Sequence, residues 1–216
     1  MQKYLSELTA QNKEQIARCL PPEVDVETMI TFLDFVSQQF SAIQAEYGKV
    51  KPWGTDAEDV KWFLTFFSEG QYLELNQEKT IPLNRVFSKP WNQWRLALAL
   101  SHRQLGQNPP PIHVSAYRLE DNSYWYTIND GMHRTTAAKM SGEQTIKALI
   151  REERMMFTKR YALCDGHLFK LDDQGAVLMS KHLPKGYYNF LEGLFGVKRY
   201  PHNLLELIWE NIAKII

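Results

Sequence analysis

Cysteine is scarce in this 216-residue chain: Cys19 and Cys164 are the only two, and neither sits in a CxxC spacing. That pattern excludes a disulfide framework and a thiolate zinc site, and both thiols are expected to be reduced. Long apolar runs are missing too. The longest, such as residues 96–100, fall far short of the roughly 18 to 20 residues that span a bilayer, so no membrane association is expected. The polar first fifteen residues lack the apolar centre of a signal peptide, which points to a cytoplasmic protein. None of the six histidines stands four positions from another, so no helix face offers a histidine pair to a metal, and no protein-held metal is expected. There is no internal repeat and no low-complexity segment. What remains, 44% hydrophobic and 23% charged, fits a folded globular chain.

The zero net charge is unevenly spread. Residues 1–75 carry 6 basic against 12 acidic side chains, residues 76–160 carry 13 against 7, and the remainder is neutral. The central segment therefore suits a phosphate-bearing partner, a nucleotide or DNA, while the acidic segment can pack against it or repel stray anions.

Helical periodicity fills the N-terminal third: residues 3–19, 26–47 and 55–67, broken at Pro21-Pro22 and at Pro52-Trp53-Gly54. Ile30, Leu33, Phe40 and Ile43 form one stripe of the second helix, with Asp25 and Thr55 as expected N-caps and Gly48 as a stop. A helical layer is the expected result. After a short extended stretch around residues 81–87, a helix is expected over 91–105. Pro109-Pro110-Pro111 then delivers the chain into a strand over 112–118, and an aromatic strand follows over 124–129. Asp130-Gly131 turns into a short helix over 132–140, a strand spans 144–150, and the charged run 151–154 leaves it. The last third reads as a β-hairpin around residues 172–175 and an amphipathic helix over 202–216. The domain reading is a helical segment (1–75), a central α+β core (76–155) and a hairpin-and-helix extension packed on that core (156–216).

The chemistry concentrates in Asp130-Gly131-Met132-His133-Arg134-Thr135. A strand that turns straight into a helix leaves the first helical N–H groups unpaired at a positive dipole end, which suits an anion. Gly131 permits close backbone approach, Arg134 offers a planar fork for two phosphate oxygens, and His133 can exchange a proton there. Asp130 is placed either to cap the helix or to act as a base or cation partner.

Residues 80–151 resemble the ParB/sulfiredoxin superfamily domain. The likeness is carried by Thr80-Ile81-Pro82-Leu83, a helix, Gly106 leading to Pro111-Ile112-His113-Val114, the strand Tyr124-Trp125-Tyr126-Thr127-Ile128, the Asp130 to Ala138 turn and helix, and Gly142 leading to Ala148. The resemblance implies a small mixed sheet with helices, in which Gly131, Met132, His133, Arg134 and Thr135 bind nucleotide phosphates, with Asp130 and His133 as catalytic candidates. Members of the superfamily include chromosome-partitioning proteins that bind CTP and DNA, ATP-using sulfiredoxins, kinases of free serine and some nucleases. Two departures narrow the choice. Met132 stands where sulfiredoxins carry their catalytic cysteine, which disfavours sulfinic acid reduction. Only Gly106 represents the glycine-rich stretch of the CTP-binding members, and no helix-turn-helix follows. The reading is a nucleotide-binding enzyme using a nucleoside triphosphate or diphosphate, ATP first, with Mg²⁺, in phosphoryl transfer or hydrolysis. The alternative is a non-catalytic nucleotide- or DNA-binding regulatory protein. Oligomeric state is not legible.

Other clusters have plainer explanations. Trp91, Trp94, Arg95, His102 and Arg103 share a helix and read first as core packing and second as a base-stacking platform. Arg151, Glu152, Glu153 and Arg154 read as a solvated charge run, and Cys164 with His167 as a turn.

Overall fold

The structure, a computed structural model, describes residues 13–172 and 174–200. The expected helix over 3–19 is therefore seen as α1 (Lys13–Cys19), and the stripe over 202–216 lies outside the described residues. Helix α2 (Val26–Tyr47) forms as its pattern predicts: Asp25 accepts a hydrogen bond from the Thr28 N–H, and Gly48 closes the other end. Its buried stripe is Met29, Leu33, Val36 and Ile43, with Ile30 and Phe40 at its margin. Helix α3 (Ala57–Phe67) corrects the expected cap. Thr55 and Asp56 form strand β2, paired with β1 (Lys49–Val50), and it is the Asp56 side chain that accepts from the Glu58 N–H.

The centre is a five-stranded mixed sheet in the order β3 (Leu73–Pro82), β7 (Thr145–Met155), β5 (Ile112–Arg118), β6 (Tyr124–Asp130), β4 (Val86–Phe87). Strands β5 and β7 are parallel, as are β4 and β6, while β3–β7 and β5–β6 are antiparallel. Between β4 and β5 lies α4 (Gln93–Gln104), and between β6 and β7 lies α5 (Met132–Met140). The chain is thus α+β around a small mixed sheet, as the patterning requires.

Three expectations are corrected here. The extended stretch 81–87 is interrupted by a 3₁₀ turn, Leu83–Arg85, and its first half belongs to a strand that starts at Leu73. The charged run 151–154 does not leave β7 but continues it: Glu152 pairs with Glu74, and Glu153 with Leu73. In the last third, two turns rather than one separate β8 (Tyr161–Cys164), β9 (His167–Leu171) and β10 (Val177–His182), which form a second sheet with β11 (Lys198–Arg199).

The first 75 residues are not one helical layer. Helices α1 and α2 pack on α4, burying Ile16, Met29 and Leu33 against Trp94, Leu96 and Leu100. Helix α3 instead joins the C-terminal sheet and α6 (Tyr188–Phe195), where Phe63, Phe67, Tyr161, Phe190 and Phe195 share an aromatic core. Helix α5 is sandwiched between α4 and the central sheet. Ala137 faces the helical core and Ala138 the strands, both fully buried, and only small side chains allow such close approach on two sides.

Candidate functional site

The sequence places the turn into α5 beside the entrance to α4, and a cleft of about 710 Å³ opens between them. Asp130, Gly131, Met132, His133 and Arg134 all line it; from α4 and its approach come Trp91, Arg95, His102 and Arg103, and Glu23 reaches it from the turn between α1 and α2. Five of the six residues singled out in the motif are therefore brought to one cavity. Thr135 is not: it is fully buried, and its hydroxyl donates to the Gly131 carbonyl.

Gly131 is the helix N-cap, with φ +98°, and no side chain caps the first N–H groups of α5. A Cβ at this position would stand 2.5 Å from Ile112 Cγ2 and in the left-handed region, so only glycine fits. This corrects the capping role expected of Asp130, which ends β6 instead. Its carboxylate is largely exposed and pairs with Arg134 at 3.0 Å. The Arg134 guanidinium also donates to the Pro110 carbonyl at 2.6 Å, which fixes it across the cleft floor.

His133 is 7% exposed, and its Nε2 accepts from the backbone N–H of Asn92 at 3.1 Å and of Trp91 at 3.4 Å. Burial, aided by the nearby Arg95 charge and opposed by Asp130, pulls its pKa down to about 4. The ring is neutral at physiological pH, and one nitrogen is committed as an acceptor that holds the start of α4.

Trp91 and Trp94 have different fates. Trp94 is core, whereas Trp91 is 53% exposed at the cleft, with Arg95 5.2 Å over its ring and His133 edge-on at 5.2 Å. The sequence favours packing for both, and the structure divides them. Arg103 is mostly buried and ion-paired with Glu143, and burial lowers its pKa. His102 bonds Gln107 through Nδ1. The basic excess of the central segment is thus largely internally paired: Lys89 with Asp56, Arg118 with Glu153, Arg154 with Glu152.

Glu152 is no solvated charge, since it receives Ser115 Oγ at 2.8 Å and both arms of Arg154, and Ser115 in turn accepts from the side-chain amide of Asn129, a cleft residue. Cys164 is buried, and burial raises its thiol pKa, which leaves it inert beside His167. Among the described residues, no helix is long and apolar enough to cross a membrane, and no group of three or more His, Cys, Asp or Glu is arranged to hold a metal.

What the sequence could not assign is Trp91, Arg95 and Glu23 as cleft residues. Trp91 and Arg95 were visible as an i, i+4 pair, but nothing local says which tryptophan stays outside. No family model matches this chain, and no curated protein shows significant similarity to it.

Proposed function

We propose that this protein binds a nucleotide in the α4–α5 cleft and acts on a phosphoryl group, with a fold of the ParB/sulfiredoxin type. The observation that carries the reading is the meeting in one cleft of an uncapped helix N-terminus, a fixed arginine and an exposed tryptophan. The phosphates lie on the first N–H groups of α5, with Arg134 as the charged partner. Trp91 is the platform for the base, about one aromatic stack in strength, and Arg95 lies over the same ring. A cleft of about 710 Å³ is within the range that takes a ligand of nucleotide size.

The residues fit a nucleotide that carries its own Mg²⁺ better than a resident metal. The cleft carboxylates are Glu23 and Asp130, too few for an all-protein cage, whereas Mg²⁺ commonly binds one or two carboxylates together with substrate phosphates. Asp130 is the group for proton abstraction or Mg²⁺ contact. His133, neutral and bonded to two backbone N–H groups, positions Trp91 and the start of α4 and does not carry a charge to the phosphates.

Thermal unfolding with ATP, ADP, CTP and GTP, each with Mg²⁺, tests this. Binding to the native state stabilises by RT ln(1 + [L]/Kd), about 2.7 kcal/mol at a hundredfold excess over Kd. The expected result is a shift for at least one nucleotide, together with quenching of Trp91 fluorescence that disappears in Trp91→Phe. No shift with any of the four at millimolar concentration overturns the proposal. Turnover of the bound nucleotide then separates an enzyme from a nucleotide-regulated binder, and retention of DNA without nucleotide favours the non-catalytic alternative.

A further inference from the structure

Helix α5 has a second cleft at its other end, about 14 Å along the axis from the first. It has a volume of about 370 Å³ and lies between the β1–β2 hairpin, the β4 edge of the central sheet and the turn after α5. Three of its lining side chains carry polar groups with unused capacity. Ser88 Oγ and Trp125 Nε1 are buried without any hydrogen-bond partner, and Lys139 donates from Nζ to the Val86 carbonyl at 2.7 Å. A lysine ammonium has three donors, so two remain for another acceptor. Native interiors rarely leave buried donors unpaired, and two on one cavity wall call for an explanation.

We propose that this cleft is a second ligand site, built for a small monocarboxylic acid with an apolar body, which Lys139, Ser88 and Trp125 bind through its carboxylate.

Charge selects the head group. The two carboxylates on the rim are already committed, Glu46 to Lys51 and Glu143 to Arg103, while the ion pairs among the described residues do not include Lys139. Of the lining lysines, Lys51 is paired with Glu46 and Lys49 is exposed to solvent, so Lys139 is the one ammonium held mostly out of water; a single negative charge matches it, and a phosphate dianion leaves an excess at that end. A carboxylate also supplies two oxygens with about four acceptor sites, enough for the indole N–H, the hydroxyl and the ammonium. Burial draws the Lys139 pKa down to about 8, as expected of an ammonium held without a counter-charge, and a carboxylate beside it restores the ordinary value. The walls select the body: Leu83, Val86 and the stacked Phe87–Trp125 pair, ring centroids 4.9 Å apart, give an apolar surface that a ligand without an apolar body, such as a free inorganic anion or a polyol, does not use. Ser88 Oγ and Trp125 Nε1 are shielded by the cavity wall, so engagement displaces the wall slightly, and the indole N–H is its natural reporter.

Titration of ¹⁵N-labelled protein with benzoate, isovalerate and, separately, inorganic phosphate tests the proposal, with the Trp125 indole resonance assigned from Trp125→Phe. The expected result is a saturable downfield shift with a monocarboxylate, and at least about tenfold weaker binding in Lys139→Met, the loss expected for one charge-assisted bond. Ser88→Ala serves as the second variant, expected to weaken binding several-fold, should Lys139→Met not fold. No saturable shift with either monocarboxylate, equal affinity in the folded variants, or saturation with phosphate alone overturns it. The readout is independent of nucleotide binding at the far end of α5.

Discussion

Two helices begin at the same cleft, and their first turns are treated in opposite ways. The start of α4 is closed: Asn92 Oδ1 accepts from the Arg95 N–H, and His133 Nε2 accepts from the N–H groups of Trp91 and Asn92. The start of α5 is capped by Gly131, which has no side chain to offer. Both ends have the same dipole and the same number of orphan donors, so helix physics alone does not distinguish them. The difference lies in who supplies the acceptor. At α4 the protein does, and at α5 the acceptor is left to solvent or to a ligand. His133 sits on α5 and closes α4, so the open end and the closed end are coupled through one side chain.

The sharpest way to break this contrast is Gly131→Ala. The added methyl meets Ile112 Cγ2 at 2.5 Å and the backbone stays at φ +98°, so strain and overpacking together cost about 3 kcal/mol. Urea unfolding is expected to show that loss, and nucleotide binding to fall with it. A variant as stable as the parent shows that the turn can relax, and the open geometry of α5 is then not dictated by glycine.

His133→Phe attacks the closed end. Two N–H groups lose their acceptor while the aromatic volume is kept, a cost of about 2 kcal/mol. The same residue sets an acid limb. Its pKa is about 4 in the folded chain against 6.5 in the ordinary range, so the folded state resists protonation. The stability this represents is fully present above pH 6.5 and is lost as pH falls from 6.5 towards 4, about 3 kcal/mol in all. Equilibrium unfolding at pH 7 and at pH 4.5 is expected to differ by less in His133→Phe than in the parent. Equal pH dependence in the two removes His133 as the source.

Arg134→Ala acts on the ligand more than on the fold. Its guanidinium holds the Pro110 carbonyl and a largely exposed Asp130, so stability is expected to drop by about 1 kcal/mol. Nucleotide affinity is expected to fall about ten- to a hundredfold, the worth of a charge-assisted bond to phosphate. Calorimetric titration alongside thermal unfolding separates the two, and an unfolded variant or unchanged affinity makes Arg134 a structural ion-pair partner only.

The legibility of the chain follows the same division between local and distant causes. Strand β5 and helices α2 and α5 match their patterns because turn chemistry and periodicity are local: Asp25 caps, Gly48 stops, and the three prolines start β5. The outer half of β7 is hidden because Arg151, Glu152, Glu153 and Arg154 read as a solvated charge run. It is strand because Glu152 and Glu153 pair with Glu74 and Leu73, about 80 positions earlier, while Arg151 falls at the irregularity in that pairing. At the site, the motif was visible as letters and its glycine requirement could be reasoned. The division of labour was not. That Trp91 stays outside while Trp94 goes in depends on His133, 42 positions further on, and no local signal encodes it. The N-terminal helices likewise have similar patterns, yet α2 and α3 enter different cores because their partners come from distant segments.

The mildest substitution is the most informative about chemistry. Asparagine at position 130 keeps the shape and loses the charge, and since Gly131 rather than Asp130 is the cap, no helix-terminal bond is at risk. The ion pair lost is an exposed i, i+4 contact with Arg134, worth about 0.3 to 0.5 kcal/mol, so stability is expected to stay within that margin. Nucleotide affinity is expected to rise slightly, because a negative charge next to the phosphates has gone and Arg134 is freed for them. Turnover carries the decision. If Asp130 takes a proton or holds Mg²⁺, the rate falls about 10² to 10⁴-fold while binding persists. If the rate is unchanged, the carboxylate is only a resting partner that occupies Arg134 until a phosphate displaces it. The open end of α5 is then a binding device, and its chemistry must come from the other cleft carboxylate, Glu23, or from the ligand itself.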